Sequence, residues 1–379
     1  MPRDVVEAVI ASHDPQRPLE RLLRSVLAQR TALENLGAEL RTTVVCHNRE
    51  IDEIAGPLAP EVRDQVDFLH LADGIYSPAG PINHGLEASE ATWVTTIGSD
   101  DALAEGALAA WYRSGRDLDA DAVLAPIRVP HGIVRTPFIR PSRPRLLDPV
   151  RDHLAYRTAP LGLLRRETLR RIGFAYTQAR LIAGSDIEPG LRLWFRGGRI
   201  TYPYGAPAYL VSEDMGRTRV TSTVGRVRSE TGWLPPLLAQ DWLRGARLDE
   251  RQEIATKLAR TQLVNAVRRR AVAAGEVDED AWTGDDADAL GTAIAGLEEL
   301  ASGPLPGLSR AEASVLAAAG TAGSAEAVRT AWASFSGGCP QDRVLPRRLR
   351  DLARTDARPR LFLEQQIAQR TGLYTHPAD

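Results

Sequence analysis

The chain has 379 residues, 43% of them hydrophobic and 25% charged, with a net charge of −2; this is an ordinary globular composition, long enough for two or more domains, with no basic field to recruit nucleic acid or an anionic membrane. Two cysteines, Cys46 and Cys339, exclude a disulfide framework and a four-thiolate zinc site and fit a reducing cytoplasm. The basic residues are arginines with a single exception, Lys257.

The first third alternates strands with helices. Residues 5–12 form a β-branched strand, followed by the turn His13-Asp-Pro-Gln-Arg-Pro18. Leu19, Leu22, Leu23, Val26 and Leu27 then recur at helical spacing, one apolar face with Pro18 near its start. Strands are predicted over 42–46 and 66–71, a helix over 81–91, a strand over 93–97, a helix over 104–114 and a strand over 122–127. This alternation indicates βαβ units and a mostly parallel sheet. Prolines at 130, 137, 141, 144, 149 and 160 predict loops and edge segments. A strand over 161–164 follows, then a helix over 166–172 stopped by Gly173. A helix over 186–196 stopped by Gly197-Gly198 leads to a strand over 199–202. From Thr231 onward no strand is predicted. A long helix covers 248–273, an acidic loop 275–288, and helices 287–301, 309–319, 324–335, 341–353 and 358–370. The expected organisation is an α/β domain over 1–224 and an all-helical domain over 225–379. The N-terminus lacks a signal-peptide pattern, and no apolar run reaches the about 20 residues of a membrane span. A cytoplasmic protein is expected, with any membrane contact peripheral at the inner face.

Trp93-Val-Thr-Thr-Ile-Gly-Ser-Asp-Asp101 places two carboxylates where a strand ends. Ligands of open α/β sheets sit at that edge, and paired acids suit a hard cation that bridges to phosphate. Taken alone, the pair reads equally as a helix cap and a solvated turn.

Other segments resolve the choice. Val9-Ile-Ala-Ser-His-Asp-Pro and Leu19-Glu-Arg-Leu-Leu-Arg-Ser-Val-Leu-Ala-Gln29, then Asn83-His-Gly85, then Trp93–Asp101, resemble in order the conserved segments of the family 2 glycosyltransferases. Leu161–Phe174 and Ser185-Asp186 with Leu191-Arg-Leu193 continue the resemblance, which runs over about residues 5–212. It implies a GT-A (nucleotide-diphospho-sugar transferase) fold and a metal-dependent, inverting transfer of one sugar to an acceptor hydroxyl. By resemblance, Ala11, Ser12 and His13 line the nucleotide. Asp73 and Asn83 are further candidate donor ligands, Ser99 and Asp100 lie near ribose and phosphate, and Asp186 is the general base. Mg²⁺ or Mn²⁺ would be held by Asp100 and Asp101. The implied partners are a nucleotide diphosphate sugar, a UDP-sugar first, and a carbohydrate or lipid-linked acceptor such as a bacterial cell-envelope glycan. The Ala-rich helices would present the acceptor or build a homo-oligomer. The absence of QxxRW argues against a processive synthase.

Departures from the family pattern are specific. Gly98 stands where the metal motif has its first acid, Ile82 replaces an arginine and Ser185 a glutamate. His47 and Asn48 stand where acids commonly read the base, and offer other donors and acceptors. Glu213 or Asp214 would replace a late metal-binding histidine. Arg217, Arg219, Arg226 and Arg228 form a basic cluster suited to phosphate. Trp194 and Trp233 are aromatic faces, with core packing the plainer role. Two alternatives remain: a sugar-nucleotide-binding scaffold that has lost its acids, and a nucleotidylyltransferase, which the glycine-free turn after the first strand disfavours.

Overall fold

A computed structural model describes residues 3–177, 184–212, 225–272 and 282–375. The strands are β1 (Asp4–Ser12), β2 (Ala38–His47), β3 (Asp67–Leu71), β4 (Trp93–Gly98), β5 (Ala102–Leu103), β6 (Ala122–Leu124), β7 (Ile127–Val129), β8 (Gly132–Ile133), β9 (Gly162–Arg165), β10 (Ile200–Thr201) and β11 (Tyr209–Leu210). Seven of them form one sheet in the order β10-β6-β9-β4-β1-β2-β3, and the other four form a second in the order β5-β11-β7-β8. β1 is parallel to β2 and β4, while β9 runs antiparallel to β4 and β6. The result is the mostly parallel, helix-flanked α/β architecture expected from the sequence.

Register positions the site. Ser12 lies opposite Cys46, and Ala11 opposite Gly98. The carboxyl ends of β1, β2 and β4 therefore align, and whatever follows them shares one edge. Val6, Ala8, Val9 and Ile10 are fully buried, as expected of a strand covered on both faces, and the buried Glu7 between them accepts from the Thr43 and Ser89 hydroxyls. Leu22, Leu23 and Val26 of the Leu19–Leu27 helix pack on one face with Ile10 and Val44. The other apolar cluster runs from Val94, Leu164 and Trp194 into Leu258, Leu297 and Tyr374 without a break. The late helices thus share one continuous apolar core with the α/β layer.

Three expectations needed revision. The strand predicted over 122–127 is two strands in different sheets, because Pro126 has no N–H for the ladder. The acidic loop predicted over 275–288 already turns helical at Gly284. Thr283 and Asp286 form a capping box, so the aspartates are first-turn acids of the Gly284–Leu300 helix. The helix predicted over 341–353 is broken at Pro346 into Pro340–Val344 and a 3₁₀ turn, Leu349–Ala353. The long helix from Leu248 to Val272 holds, with a π-helical turn at Ala259–Leu263. Among the described residues, no helix is long and apolar enough to cross a membrane.

Candidate active site

A cavity of about 500 Å³ opens at the aligned strand ends. Its wall includes Ala11, Ser12 and His13 after β1, His47 at the end of β2, and Ser99, Asp100 and Asp101 after β4. Tyr176 and Asp186 complete it from the opposite side. Ser12 is fully buried, and its Oγ has no hydrogen-bond partner within the protein. A buried hydroxyl left open at a cavity wall is a ready ligand contact.

The two adjacent acids have separate tasks. Asp101 Oδ2 accepts from the Tyr209 hydroxyl at 2.5 Å, and Oδ1 accepts from the Ser212 N–H at 3.0 Å. Tyr209 itself accepts the Gly98 N–H at 3.0 Å. Burial, reinforced by Asp101, pushes the Tyr209 phenol well above its usual range, so it remains a donor. Asp101 therefore ties β4 to β11. Asp100 instead points its Oδ1 toward Arg17 Nη1, 3.5 Å away. Arg21 donates to the Asp100 backbone carbonyl and to Ser212 Oγ, fixing the same turn.

Gly98 follows from this arrangement. A Cβ at position 98 would lie 2.7 Å from Asp101 Oδ2 and 3.1 Å from Asp100 Oδ1. The carboxylate of Asp101 fills the space into which an acid at 98 would begin. Among the described residues, no three His, Cys, Asp or Glu side chains converge. Asp100 alone suits a cation that also takes diphosphate oxygens, because Mg²⁺ is commonly held by one or two carboxylates plus substrate phosphates. With both oxygens occupied by protein donors, Asp101 fits the metal role less well.

At the end of β2, His47 Nε2 lies 2.8 Å from Asp73 Oδ1, and the Ile75 N–H donates to the same oxygen at 2.9 Å. Asn48 adopts a left-handed φ of 53°, a conformation asparagine tolerates, and accepts the Gly74 N–H at 2.9 Å. Burial acts to raise the Asp73 carboxyl, but the bonds from Ile75 and His47 outweigh it and hold Asp73 below its usual range. The loop after β3 is thereby pinned to β2. It carries Tyr76, 70% exposed at the cavity mouth and edge-on to His13 at 5.6 Å between ring centroids. Burial, with Arg17 next, lowers the His13 pKa, so this ring is neutral at pH 7.

Asn83 supports the wall without belonging to it. Its amide bonds both the N–H and the C=O of Tyr176 at 2.8 Å, which spends the side chain on the backbone. This clamp holds Tyr176 in the cavity wall. A donor contact by Asn83, as the resemblance suggests, would have to use the amide's remaining hydrogen or lone pair.

Asp186 immediately precedes the Ile187–Arg196 helix, yet its side chain makes no capping hydrogen bond. The plainest alternative role for this residue is thus not taken up. Asp186 lines the cavity, and burial raises its affinity for a proton. Trp194 and Trp233 are core residues: Trp194 donates to the Arg157 carbonyl, and Trp233 packs against Gly184. Arg226 is paired with Asp286 at 2.9 Å. Glu213, Asp214, Arg217 and Arg219 lie outside the described residues. His153 is fully buried against Glu253, apart from the cavity wall.

Sequence reasoning missed Arg17, Tyr76, Tyr176 and Tyr209. Arg17 was within reach, since it sits in the turn already assigned to the nucleotide. Tyr209 was not, because a two-residue strand leaves no periodicity to read.

Neither a family model nor a curated protein matches the chain in sequence. Solved structures do match in fold. S. aureus TarS 1–349 in complex with UDP-GlcNAc superposes with a TM-score of 0.69 at 15% identity, covering 88% of this chain and 92% of that one. The same fragment in complex with UDP gives 0.64 at 14% identity with the same coverage. The longer S. aureus TarS structure also gives 0.64 at 14% identity, over 87% of this chain and 55% of that one. At these identities the likeness is one of fold, and it agrees with the GT-A architecture expected from the sequence.

Proposed function

We propose that this chain is a family 2-type inverting glycosyltransferase that moves one sugar from a nucleotide diphosphate to an acceptor hydroxyl. The observation that carries the reading is one cavity lined by Asp186, its carboxylate free of capping, and by the Arg17–Asp100 pair. A UDP-sugar is the first donor to test, with UDP-GlcNAc at its head, because structural neighbours bind UDP and UDP-GlcNAc.

In this reading Ser12, His13 and Tyr76 contact the nucleotide, and the His47–Asp73 pair with Asn48 orders the base end. Arg17 offers fixed positive charge to the diphosphate. Mg²⁺ or Mn²⁺ on Asp100 would supply the remaining neutralisation of the departing phosphate oxygens. Asp186 accepts the acceptor hydroxyl's proton as that oxygen bonds to the anomeric carbon, while the bond from that carbon to the diphosphate breaks. A single displacement of this kind inverts the anomeric centre. The helices after 225 form a second domain that presents the acceptor, a carbohydrate or lipid-linked cell-envelope glycan, or mediates self-association.

The loss of an acid at position 98 favours an enzyme over a decayed scaffold, because Asp101 occupies its space. Calorimetry with UDP, UDP-GlcNAc and other nucleotide sugars, with and without Mn²⁺, followed by product analysis on a glycan panel, tests the proposal. Micromolar donor binding and a β-product from an α-linked donor are expected. Failure of every nucleotide sugar to bind would reject it.

A further inference from the structure

The chain's only lysine is one of its largest fully buried side chains. Lys257 comes from the Leu248–Leu258 helix, far in sequence from the strand ends, and is 1% exposed. Its Nζ donates to Thr158 Oγ1 at 3.0 Å and has no carboxylate within ion-pair distance among the described residues. The neighbour of Thr158, Ala159, lines the cavity together with Asp186. Gly190 lies in the first turn after Asp186 and donates its N–H to the Asp186 carbonyl at 3.0 Å. A Cβ at Gly190 would collide with the Thr158 carbonyl, so the glycine lets the Ile187–Arg196 helix start directly against the segment that anchors Lys257. Trp194 Nε1 clamps the same segment at the Arg157 carbonyl.

An isolated ammonium inside a protein is expensive to maintain. Among the described residues, Asp186 is the one charged group that acts on Lys257. Among the same residues, the titratable groups facing Asp186 are Lys257 and the Tyr176 phenol. Burial brings Lys257 down to about 8, and Asp186 opposes that shift. Lys257 reciprocally opposes the upward push of burial on Asp186.

We infer that Lys257 is a positioning residue for the proposed base: the helical part of the chain lends its ammonium, seated on Thr158, as a counter-charge behind Asp186 in the cavity wall. The inference rests on Asp186 acting as base, but its physical content is separable from turnover. At neutral pH the ammonium keeps its proton, and its charge favours the carboxylate form that takes one from the acceptor.

The test is a ¹³C NMR titration of the Asp186 carboxyl carbon in the full chain, assigned with D186N, for the parent protein, K257M, K257R and T158V. The midpoint should move to higher pH in K257M and move less, in the same direction, in T158V. K257R should keep the parent midpoint. The acid limb of kcat/KM should follow, with kcat at pH 6 falling about tenfold in K257M, well short of outright loss of a general base. An unchanged Asp186 midpoint in K257M overturns the inference. If K257M does not fold, an unchanged midpoint in T158V does the same. A moved midpoint combined with full turnover by D186N would leave the electrostatic coupling standing and overturn the base role.

Discussion

The two ends of the cavity are built on different principles. The Asp100 end is local: β1, its turn and β4 are adjacent strands in register, and Arg17, Ser99, Asp100 and Asp101 all come from the first hundred or so residues. The Asp186 end is assembled across the chain. Its carboxylate precedes a helix in the α/β part, its wall is held by Asn83 on Tyr176, and its counter-charge comes from a helix beyond residue 240. A local site fixes geometry by sheet register. A dispersed site sets the proton affinity of one group by what packs behind it. In the proposed mechanism, binding belongs to the local end and proton transfer to the dispersed end, and substitutions at each should separate accordingly.

The largest expected effect is at the dispersed end. D186N should lower kcat by about 10² to 10⁴, the usual contribution of a general base, while donor affinity stays within about twofold. Stopped product analysis beside calorimetry measures both, and a comparable loss in donor affinity would erase the contrast between the ends. At the local end, R17A and D100A should weaken donor binding by about ten- to a hundredfold, the scale of a hydrogen bond to a charged group. Donor affinity unchanged in both variants would move diphosphate recognition elsewhere in the wall.

How much of this was legible follows the same division. The Leu19–Leu27 face and the β-branched strand over 5–12 are periodic, so the local end could be read directly from spacing. The resemblance pointed to Asp100 and Asp186 by motif. What spacing could not give was the use of each group. Adjacent aspartates look identical in sequence, and only the approach of Tyr209 shows that Asp101 is a strut. Asn83 sits in a matching motif but is consumed by a backbone that arrives 93 residues later. Lys257 stood out as the single lysine, yet its tie to Asp186 is a matter of packing between distant elements, which carries no periodic signal.

The strut itself gives an intermediate effect. Y209F removes one donor from a partly buried carboxylate and should cost about 1–3 kcal/mol. The melting temperature should drop by several degrees, at about 2–4 °C per kcal/mol for a domain of this size. G98A should cost a similar amount through crowding against Asp101, and much less when it is added to D101S. An equal cost of G98A with and without D101S would show that Asp101 does not occupy the position-98 space in solution.

The smallest effect belongs to the base end of the local half. Asp73 is held below its usual range by the Ile75 N–H and His47, against the opposing push of burial. A depressed carboxylate adds stability above its unfolded pKa, and that increment is lost as pH falls through the folded value. The side chain is 22% exposed, so solvent screening keeps the increment below about 1 kcal/mol. D73N should therefore melt slightly below the parent at pH 7, and the gap should close as the pH is lowered through the carboxylate range. In the same variant the proposed selectivity among nucleoside diphosphates should weaken by a few-fold, because the loop carrying Tyr76 loses its anchor at His47. A gap in melting temperature that persists at low pH would mean the ionised Asp73 is not what pins the loop, and the base end would then owe its order to Asn48 and Gly74 alone.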